Sequence, residues 1–246
     1  MKAIVVLSGG QDSATCLALA VKKYGAREVA AITFAYGQRH AVETRYARRL
    51  ARHFGVAAHK VVKFGFYRDI TTNALFDPTM KIRGGEDLRR KTKDAKGPET
   101  GDARRTPPNT VVEGRNAFFL MAAAVWAKTL GAKVLYTGVS QTDYSGYPDC
   151  RAVFVRAQEK AIRLALDWPV RIVTPFMKMT KADEWALAAK LGIFDLIANE
   201  TVTCYNGIPG KGCGTCPACK LRNRGLKEFL QSERVGKRFP DRLSKE

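Results

Sequence analysis

The residues best suited to chemistry lie in two short stretches, and one of them is a cluster of cysteines in the later part of the chain. Four of the six cysteines have the spacing Cys204-x8-Cys213-x2-Cys216-x2-Cys219. Four thiolates so close together can surround one ion in a tetrahedron, which suits a structural Zn²⁺ with no open coordination position. The same four thiolates can hold an iron–sulfur cluster. The spacing predicts a metal site, with zinc first, an iron–sulfur cluster second and free thiols third.

The other stretch is SGGQDS, residues 8–13, which stands between a short apolar run and a helical pattern. Adjacent glycines let backbone N–H groups approach a phosphate closely, and a helix N-terminus attracts negative charge. Ser8 and Ser13 can donate hydroxyl hydrogen bonds, whereas Asp12 can cap the helix, position the loop or help to hold Mg²⁺. The stretch matches neither G-x-x-x-x-G-K-[ST] nor G-x-G-x-x-G. It predicts a phosphate-binding loop, and it resembles the pyrophosphate loop S-G-G-x-D-S of the ATP pyrophosphatase superfamily.

Alternating strand and helix patterns must position both stretches. Short apolar runs predict strands at residues 3–7, 29–34, 57–64, 133–139 and 170–176. Helical patterns cover about 12–24, 39–55, 114–132, 150–166 and 180–192, and a further helix begins near residue 217. Thr180 can cap the helix at 180–192, with Asp183 three residues later. The alternation predicts an α/β fold, Rossmann-like, with a parallel sheet flanked by helices and ligands bound beyond the carboxyl ends of the strands.

The predicted domain organisation is an α/β domain at residues 1–199 and a small zinc-binding region at 200–246. A charged insertion interrupts the first of these at about 77–108. Within residues 85–107 the only apolar side chains are Leu88, Ala95 and Ala103. We expect a solvated loop there, which is either inert or a lid over a nucleotide site.

The composition indicates a basic protein that does not enter a membrane. Lys and Arg number 42 and Asp and Glu number 23, which gives a net charge of +19. Such a field attracts nucleotides, acidic metabolites or nucleic acid, although surface cations can also serve solvation alone. The sequence contains no run of 18 apolar residues, so no membrane span is predicted. The apolar start MKAIVVLSGG is too short for a signal peptide. We expect a cytoplasmic protein with reduced cysteines.

Further stretches resemble one family. These are TFAYGQRH (33–40), GRN (114–116), TDYSGYPDCR (142–151), PFMKMTKAD (175–183) and ETVTCYNGIPGKGCGTCPACKLRNRG (200–225). Together with SGGQDS they resemble the QueC family of 7-cyano-7-deazaguanine synthases over nearly the whole chain except about 69–106. SGYPDC and CYNG are the most specific elements, whereas Glu113 stands where the family is expected to have proline.

The resemblance implies a fold and a reaction. The fold is adenine nucleotide alpha hydrolase-like, with a C-terminal zinc-binding element of four cysteines. The reaction is the ATP-dependent conversion of 7-carboxy-7-deazaguanine and ammonia to 7-cyano-7-deazaguanine (preQ0), through adenylation of the carboxylate and an amide intermediate, in queuosine biosynthesis. ATP with Mg²⁺, one structural Zn²⁺ and a homodimer are implied, whereas a membrane and nucleic acid are not required.

The resemblance also implies site residues. The expected catalytic residues are Ser8, Asp12, Ser13, Arg115 and Lys181. The expected nucleotide contacts are Leu7, Ser8, Gly9, Gly10, Gln11, Asp12, Ser13, Ala14, Thr15, Cys16 and Leu17. The expected substrate contacts are Asp143, Tyr147 and Asp149, and the expected zinc ligands are Cys204, Cys213, Cys216 and Cys219.

Bland alternatives exist for several of these residues. Arg115 and Lys181 can be surface or helix-end charges, and Lys178 competes with Lys181 for the same role. The two aspartates can form turns, and Tyr147 or its neighbour Tyr144 can pack rather than stack on a base. Cys16 and Cys150 are expected to pack, because the implied chemistry needs no protein thiol.

Three other functions compete with this interpretation. A tRNA-modifying enzyme of the thiouridine synthase type has the same loop and fits the positive charge, but the cysteines look committed to metal. A zinc-ribbon module that binds nucleic acid fits the charge but not the intact loop. A deazaguanine synthase that serves DNA modification would keep the chemistry and change the fate of the product.

Overall fold

The centre of the molecule is a sheet of five parallel strands. The computed structural model describes residues 1–37, 42–71, 73–76, 79–82, 109–141 and 147–234. In chain order the strands are β1 (Ala3–Val6), β2 (Val29–Ala35), β3 (Ala58–Lys63), β4 (Val134–Tyr136) and β5 (Arg171–Val173). The order across the sheet is β3-β2-β1-β4-β5. The predicted α/β fold with a parallel sheet is confirmed, although β4 and β5 are shorter than expected.

Helices follow the strands as the alternation predicted. They are α1 (Gln11–Tyr24), α2 (Val42–His53), α3 (Tyr67–Ile70), α4 (Arg115–Thr129), α5 (Ala152–Leu166), α6 (Lys181–Lys190), α7 (Phe194–Asn199) and α8 (Pro217–Arg234). Short 3₁₀ helices cover Ala26–Glu28 and Pro148–Cys150. The sequence patterns did not predict α3 and α7. None of the helices described is long and apolar enough to cross a membrane.

Helices cover both faces of the sheet. Successive residues of a strand point to opposite faces, so Ala3 and Val5 of β1 pack with α1, α2, α6, α7 and α8, whereas Ile4 packs with α4 and α5. Each large side chain buried in this way contributes about 1.5–3 kcal/mol. Burial on both faces explains why β1 and β2 read as continuous apolar runs.

The strand order reverses beside β1. The chain runs from β1 to β2 and β3 on one side of it, and β4 and β5 lie on the other side. In sheets of this kind a crevice forms outside the carboxyl ends of the two strands at the reversal, and ligands bind there. Here those strands are β1 and β4, which lead into residues 7–10 and 137–140.

The start of α6 is fixed by the capping box that the sequence predicted. Thr180 Oγ1 accepts a hydrogen bond from Asp183 N at 3.2 Å, and Asp183 Oδ2 accepts one from Thr180 N at 2.8 Å. Such reciprocal bonds satisfy two N–H groups that have no partner inside the helix. The cap therefore sets the position of Lys181, the first residue of α6.

The chain beyond α7 is tied to the sheet domain through α8. The buried Arg222 donates hydrogen bonds to Ile197 O at 2.9 Å and Ala198 O at 3.1 Å, which satisfies carbonyls near the end of α7. Its guanidinium also lies 5.0 Å from the ring centroid of Trp185 in α6. The boundary predicted at residues 199–200 stays a prediction, and the core continues across it through Phe229.

Candidate active site and metal centre

The chain between β1 and α1 forms a loop that its own serine hydroxyls hold. Ser13 Oγ accepts a hydrogen bond from Ser8 N at 3.1 Å and donates one to Gly10 O at 3.0 Å. Ser8 Oγ lies 3.1 Å from Ser13 Oγ and accepts a hydrogen bond from Gly10 N at 3.3 Å. Ser8 is exposed and Ser13 is buried. Because the first N–H groups of a helix have no acceptor within it, this turn is suited to bind an anion.

Two glycines allow other elements to press closely on this loop. Gly9 has φ +93°, and a Cβ there would lie 2.6 Å from Glu43 O in α2. A Cβ at Gly138, after β4, would lie 2.8 Å from the Cβ of Asp12 and 3.0 Å from its carbonyl carbon. All three distances are below van der Waals contact. A side chain at Gly9 would therefore push the loop away from α2, and one at Gly138 would displace the start of α1.

Lys181 meets the loop through Asp12. Its Nζ lies 2.8 Å from Asp12 Oδ1 and 2.9 and 3.0 Å from the two carboxylate oxygens of Glu184. The Lys181 side chain is 7% exposed and that of Glu184 is 0% exposed, whereas that of Asp12 is 34% exposed. The ammonium group is thus directed at two carboxylates. The sequence reasoning paired neither of them with Lys181, and it missed Glu184 altogether.

A segment close to the cysteine cluster closes the loop from the other side. Val202 N donates a hydrogen bond to Gly9 O at 2.9 Å, and Gln11 N donates one to Thr203 Oγ1 at 3.4 Å. The sequence reasoning missed Thr203, although it quoted the stretch that contains this residue. The amide group of Gln11 is buried, and among the residues described neither its oxygen nor its nitrogen has a hydrogen-bond partner.

Arg115 stands at the start of α4 among phenol groups. Its guanidinium donates a hydrogen bond to Tyr36 OH at 3.1 Å and lies 5.6 Å from the centroid of that ring. Burial by itself lowers the pKa of Arg115, but Tyr36, Tyr147 and then Asp149 outweigh it, and the pKa lies above its usual range. The charge of Arg115 is therefore permanent. Tyr36 follows β2 in the stretch TFAYGQRH, and sequence reasoning gave it no role.

Asp149 caps α4 from a distant loop. Its Oδ2 accepts a hydrogen bond from Asn116 N at 2.9 Å, and its backbone oxygen accepts one from Asn116 Nδ2 at 3.2 Å. The residue is buried, and its Oδ1 has no hydrogen-bond partner in the part of the chain that the structure describes. Burial, with the charge of Asp149, raises the pKa of the neighbouring Cys150 to about 12. This thiol stays protonated at neutral pH, which argues against a nucleophilic role.

Tyr147 links three distant segments. Its hydroxyl oxygen lies 2.6 Å from Thr110 Oγ1 and 3.3 Å from Tyr205 OH. Thr110 comes before α4, and Tyr205 comes directly after Cys204. The structure therefore brings Arg115, Tyr147 and Asp149 together. Thr110 and Tyr205 carried no signal of their own, although CYNG was quoted as family-like.

The remaining expected contacts fall into two groups. Leu7 and the α1 residues Ala14, Cys16 and Leu17 are buried in the core, so only their backbone atoms can reach a nucleotide. Thr15 is also buried and donates a hydrogen bond to Gln11 O at 3.0 Å. Asp143 and Tyr144 lie outside the described residues, as does nearly all of the charged insertion. Packing, the role expected for Cys16, agrees with its full burial.

The four clustered cysteines form a cage. The Sγ atoms of Cys204, Cys213, Cys216 and Cys219 all lie within 4.8 Å of one another. Backbone N–H groups point at the sulfurs, because Cys213 N lies 3.4 Å from Cys204 Sγ and Cys216 N lies 3.3 Å from Cys213 Sγ. Hydrogen bonds of this kind stabilise thiolates. The cage can therefore hold a metal ion, as the spacing predicted.

The cysteines of the cage differ in acidity. Partial burial raises the pKa of Cys213, but hydrogen bonds from the Thr215 hydroxyl and the Cys216 N–H lower it to about 5. Burial raises the pKa values of Cys216 and Cys219. Cys213 is thus a thiolate at neutral pH without help, whereas its two neighbours would lose their protons to a bound cation.

Comparisons with known proteins identify relatives of this chain. The family model described as "Queuosine biosynthesis protein QueC" matches residues 2–230. Curated relatives named 7-cyano-7-deazaguanine synthase, from two strains of Bacteroides fragilis, are each 50% identical over 228 residues, covering 93% of this chain and 95% of the relative. A solved structure of NMN synthetase from Francisella tularensis is similar with a TM-score of 0.47 and 14% identity, over 98% of this chain and 89% of that one. Because the family model matches most of the chain and the curated relatives are 50% identical to it over 93% of its length, the chain belongs to the QueC family.

Proposed function

We propose that this chain converts 7-carboxy-7-deazaguanine and ammonia to 7-cyano-7-deazaguanine with the use of ATP, in queuosine biosynthesis. The observation that carries the proposal is a serine-held S-G-G-x-D-S loop at the carboxyl end of β1. It occurs in a chain that is 50% identical to a 7-cyano-7-deazaguanine synthase over 93% of its length. The loop supports the use of ATP, and the name of the relative supports a 7-deazaguanine substrate.

The chemistry requires activation of a carboxylate, because its oxygen leaves poorly. In the first half a carboxylate oxygen of the substrate attacks the α-phosphorus of ATP, and the bond to pyrophosphate breaks. Ammonia then attacks the acyl carbon, AMP leaves, and the nitrogen loses a proton to give the amide. In the second half the amide oxygen attacks the α-phosphorus of a further ATP and pyrophosphate leaves. Loss of AMP together with the two nitrogen protons then gives the nitrile.

The loop would hold the leaving pyrophosphate. Ser8 is exposed at its rim, and the N–H groups at the start of α1 are suited to stabilise negative charge as it develops. Lys181 fixes Asp12 through one carboxylate oxygen and leaves the other without a hydrogen bond among the described residues. Mg²⁺, which neutralises phosphate charge when ATP is bound, would be met by that second oxygen of Asp12.

The group around Arg115 would bind the heterocyclic acid. The unpartnered Oδ1 of Asp149 can accept a hydrogen bond from the N–H edge of the guanine-like ring. The Tyr147 ring offers a stacking face, and Arg115 offers permanent positive charge to the carboxylate or to the α-phosphate. Asp143 is kept as a second predicted acceptor for the same edge.

Further properties complete the proposal. The metal of the cysteine cage is proposed to be Zn²⁺, which has a structural role because four thiolates leave no open position. Four reduced thiols gathered for a metal also favour a cytoplasmic location. We also propose that the protein is a homodimer and that its two domains comprise residues 1–199 and 200–246.

The test is mass analysis of the products from the acid, ATP, Mg²⁺ and ammonium. We expect the nitrile, AMP and pyrophosphate without any RNA. Ser13→Ala should slow pyrophosphate release at least about tenfold, because it removes the hydroxyl that holds the loop. Ser232→Ala, in α8, is the matched control and should leave the rate unchanged. Release of AMP only when tRNA is added, or no consumption of the acid, would contradict the proposal.

A further inference from the structure

A chain of three hydroxyl groups crosses the candidate site beside Asp149. Thr110 Oγ1, Tyr147 OH and Tyr205 OH are joined by distances of 2.6 Å and 3.3 Å. The three residues come from the segment before α4, the loop before the second 3₁₀ helix and the segment after Cys204. Two segments that are distant in sequence therefore contact the hydroxyl of Tyr147 and fix its position.

The central member of this chain is the aromatic residue proposed to contact the substrate. Tyr147 is two residues from Asp149, whose Oδ2 accepts a hydrogen bond from the N–H of Asn116, the neighbour of Arg115. The hydroxyl chain therefore borders the charged group that would receive the acid. Thr110 is 1% exposed, so water cannot readily take over its bond to Tyr147.

We infer that Tyr205 is a positioning residue, which acts through Tyr147 to hold the plane of that ring against the substrate heterocycle. The inference rests on the proposed function. A tyrosine ring has only two side-chain torsions, so hydrogen bonds at its hydroxyl fix the orientation of the whole ring. Stacking depends on that orientation. Thr110 Oγ1 lies 2.6 Å from the same hydroxyl and also holds it.

Packing alone is the competing explanation for Tyr205, since its ring also lies against the cysteine cage and the core. Phenylalanine keeps that packing and removes only the hydroxyl. The Tyr205 hydroxyl lies 3.3 Å from the Tyr147 hydroxyl, which is hydrogen-bond distance. The hydroxyl is therefore the group that distinguishes the two explanations.

The experiment compares Tyr205→Phe, Thr110→Val, Tyr147→Phe and the double variant of the two tyrosines. Tyr205→Phe and Thr110→Val should each raise the KM for 7-carboxy-7-deazaguanine about two- to tenfold, as expected for one lost hydrogen bond. The KM for ATP should stay within about twofold, because the phosphate loop is untouched. The KM of the double variant for 7-carboxy-7-deazaguanine should be no higher than that of Tyr147→Phe, because Tyr205 acts through Tyr147. Tyr46→Phe, in α2, is the control for loss of a phenol hydroxyl elsewhere.

The outcomes separate this inference from the proposed function. If wild-type enzyme makes the nitrile but Tyr205→Phe leaves the KM for the acid unchanged, only the inference is overturned. Equal increases in the KM values for acid and ATP, or multiplicative losses in the double variant, overturn it as well. If wild-type enzyme makes no nitrile, both fall together. Metal content, measured for each variant, should match that of wild type, and the melting temperature should fall by no more than one lost hydrogen bond explains.

Discussion

Replacing Lys181 by methionine should reduce the free energy of unfolding by about 3–5 kcal/mol, because it removes the ammonium group that pairs with a buried carboxylate. The two oxygens of Glu184 lie 2.9 and 3.0 Å from Lys181 Nζ, and the Glu184 side chain is 0% exposed. Asp12, at 2.8 Å, is 34% exposed, so water can replace the lysine there. The loss therefore arises at Glu184, and it is a large part of the stability of a typical domain.

The double variant Lys181→Met/Glu184→Met removes both charges and should recover at least about 2 kcal/mol of that loss, since apolar residues of similar volume often replace a buried ion pair well. Arg49→Met is the matched control, because the Arg49–Glu200 pair has side chains that are 48% and 39% exposed. Its loss should stay below about 1 kcal/mol. Urea unfolding followed by intrinsic fluorescence, with linear extrapolation, gives each value.

Activity separates stability from function in the same set of variants. The double variant should fold, yet its pyrophosphate release should stay at least about tenfold below wild type, because Asp12 has lost the group that orients it. A loss below about 1 kcal/mol in Lys181→Met, or a double variant no more stable than the single one, would refute the reasoning about buried charge.

Three more perturbations follow from the same contacts. Gly138→Ala should destabilise the protein by about 1–3 kcal/mol and slow pyrophosphate release, because the new Cβ would lie 3.0 Å from the backbone at the start of α1. Gly65→Ala is the control and should do neither, because a Cβ there has no atom within 4 Å. Urea unfolding and the rate of pyrophosphate release measure the two effects. In metal-free protein at pH 7, iodoacetamide should modify Cys213 well before Cys150. The reason is that the pKa of Cys213 is lowered to about 5, whereas that of Cys150 is raised to about 12. Mass spectra that show the reverse order of modification would contradict these assignments. Ser140→Ala should raise the free energy of unfolding by about 1 kcal/mol, because Ser140 Oγ is buried and has no hydrogen-bond partner among the described residues. A loss of stability in urea would count against that interpretation.

Features that depend on neighbouring residues could be predicted from the sequence. Thr180 and Asp183 stand at the spacing of a capping box, and the box forms. The glycines of residues 8–13 follow an apolar run and precede a helical pattern, and the loop lies between β1 and α1. The cysteine spacing places four ligands on one short stretch, so their approach to one point requires little of the rest of the fold.

Features that depend on sheet order could not be predicted. The pairing of Lys181 with Asp12 requires α6 to pack beside α1, which no local pattern specifies. Glu184 looks like an exposed helix residue until that packing buries it. α7 has six residues and no side-chain cap, too little for a sequence signal, and Arg222 stabilises its last carbonyls from α8.

The stretch around Cys204 joins the metal cage to the candidate site. Thr203 accepts a hydrogen bond from the first residue of α1, and Tyr205 contacts Tyr147. Cys204 stands between these two residues, and its sulfur is part of the cage. A metal ion bound to this sulfur would fix the backbone on both sides of Cys204 and therefore both contacts. The region that cysteine spacing alone separates as a metal-binding appendage is, by its contacts, one wall of the site that holds the loop and Tyr147.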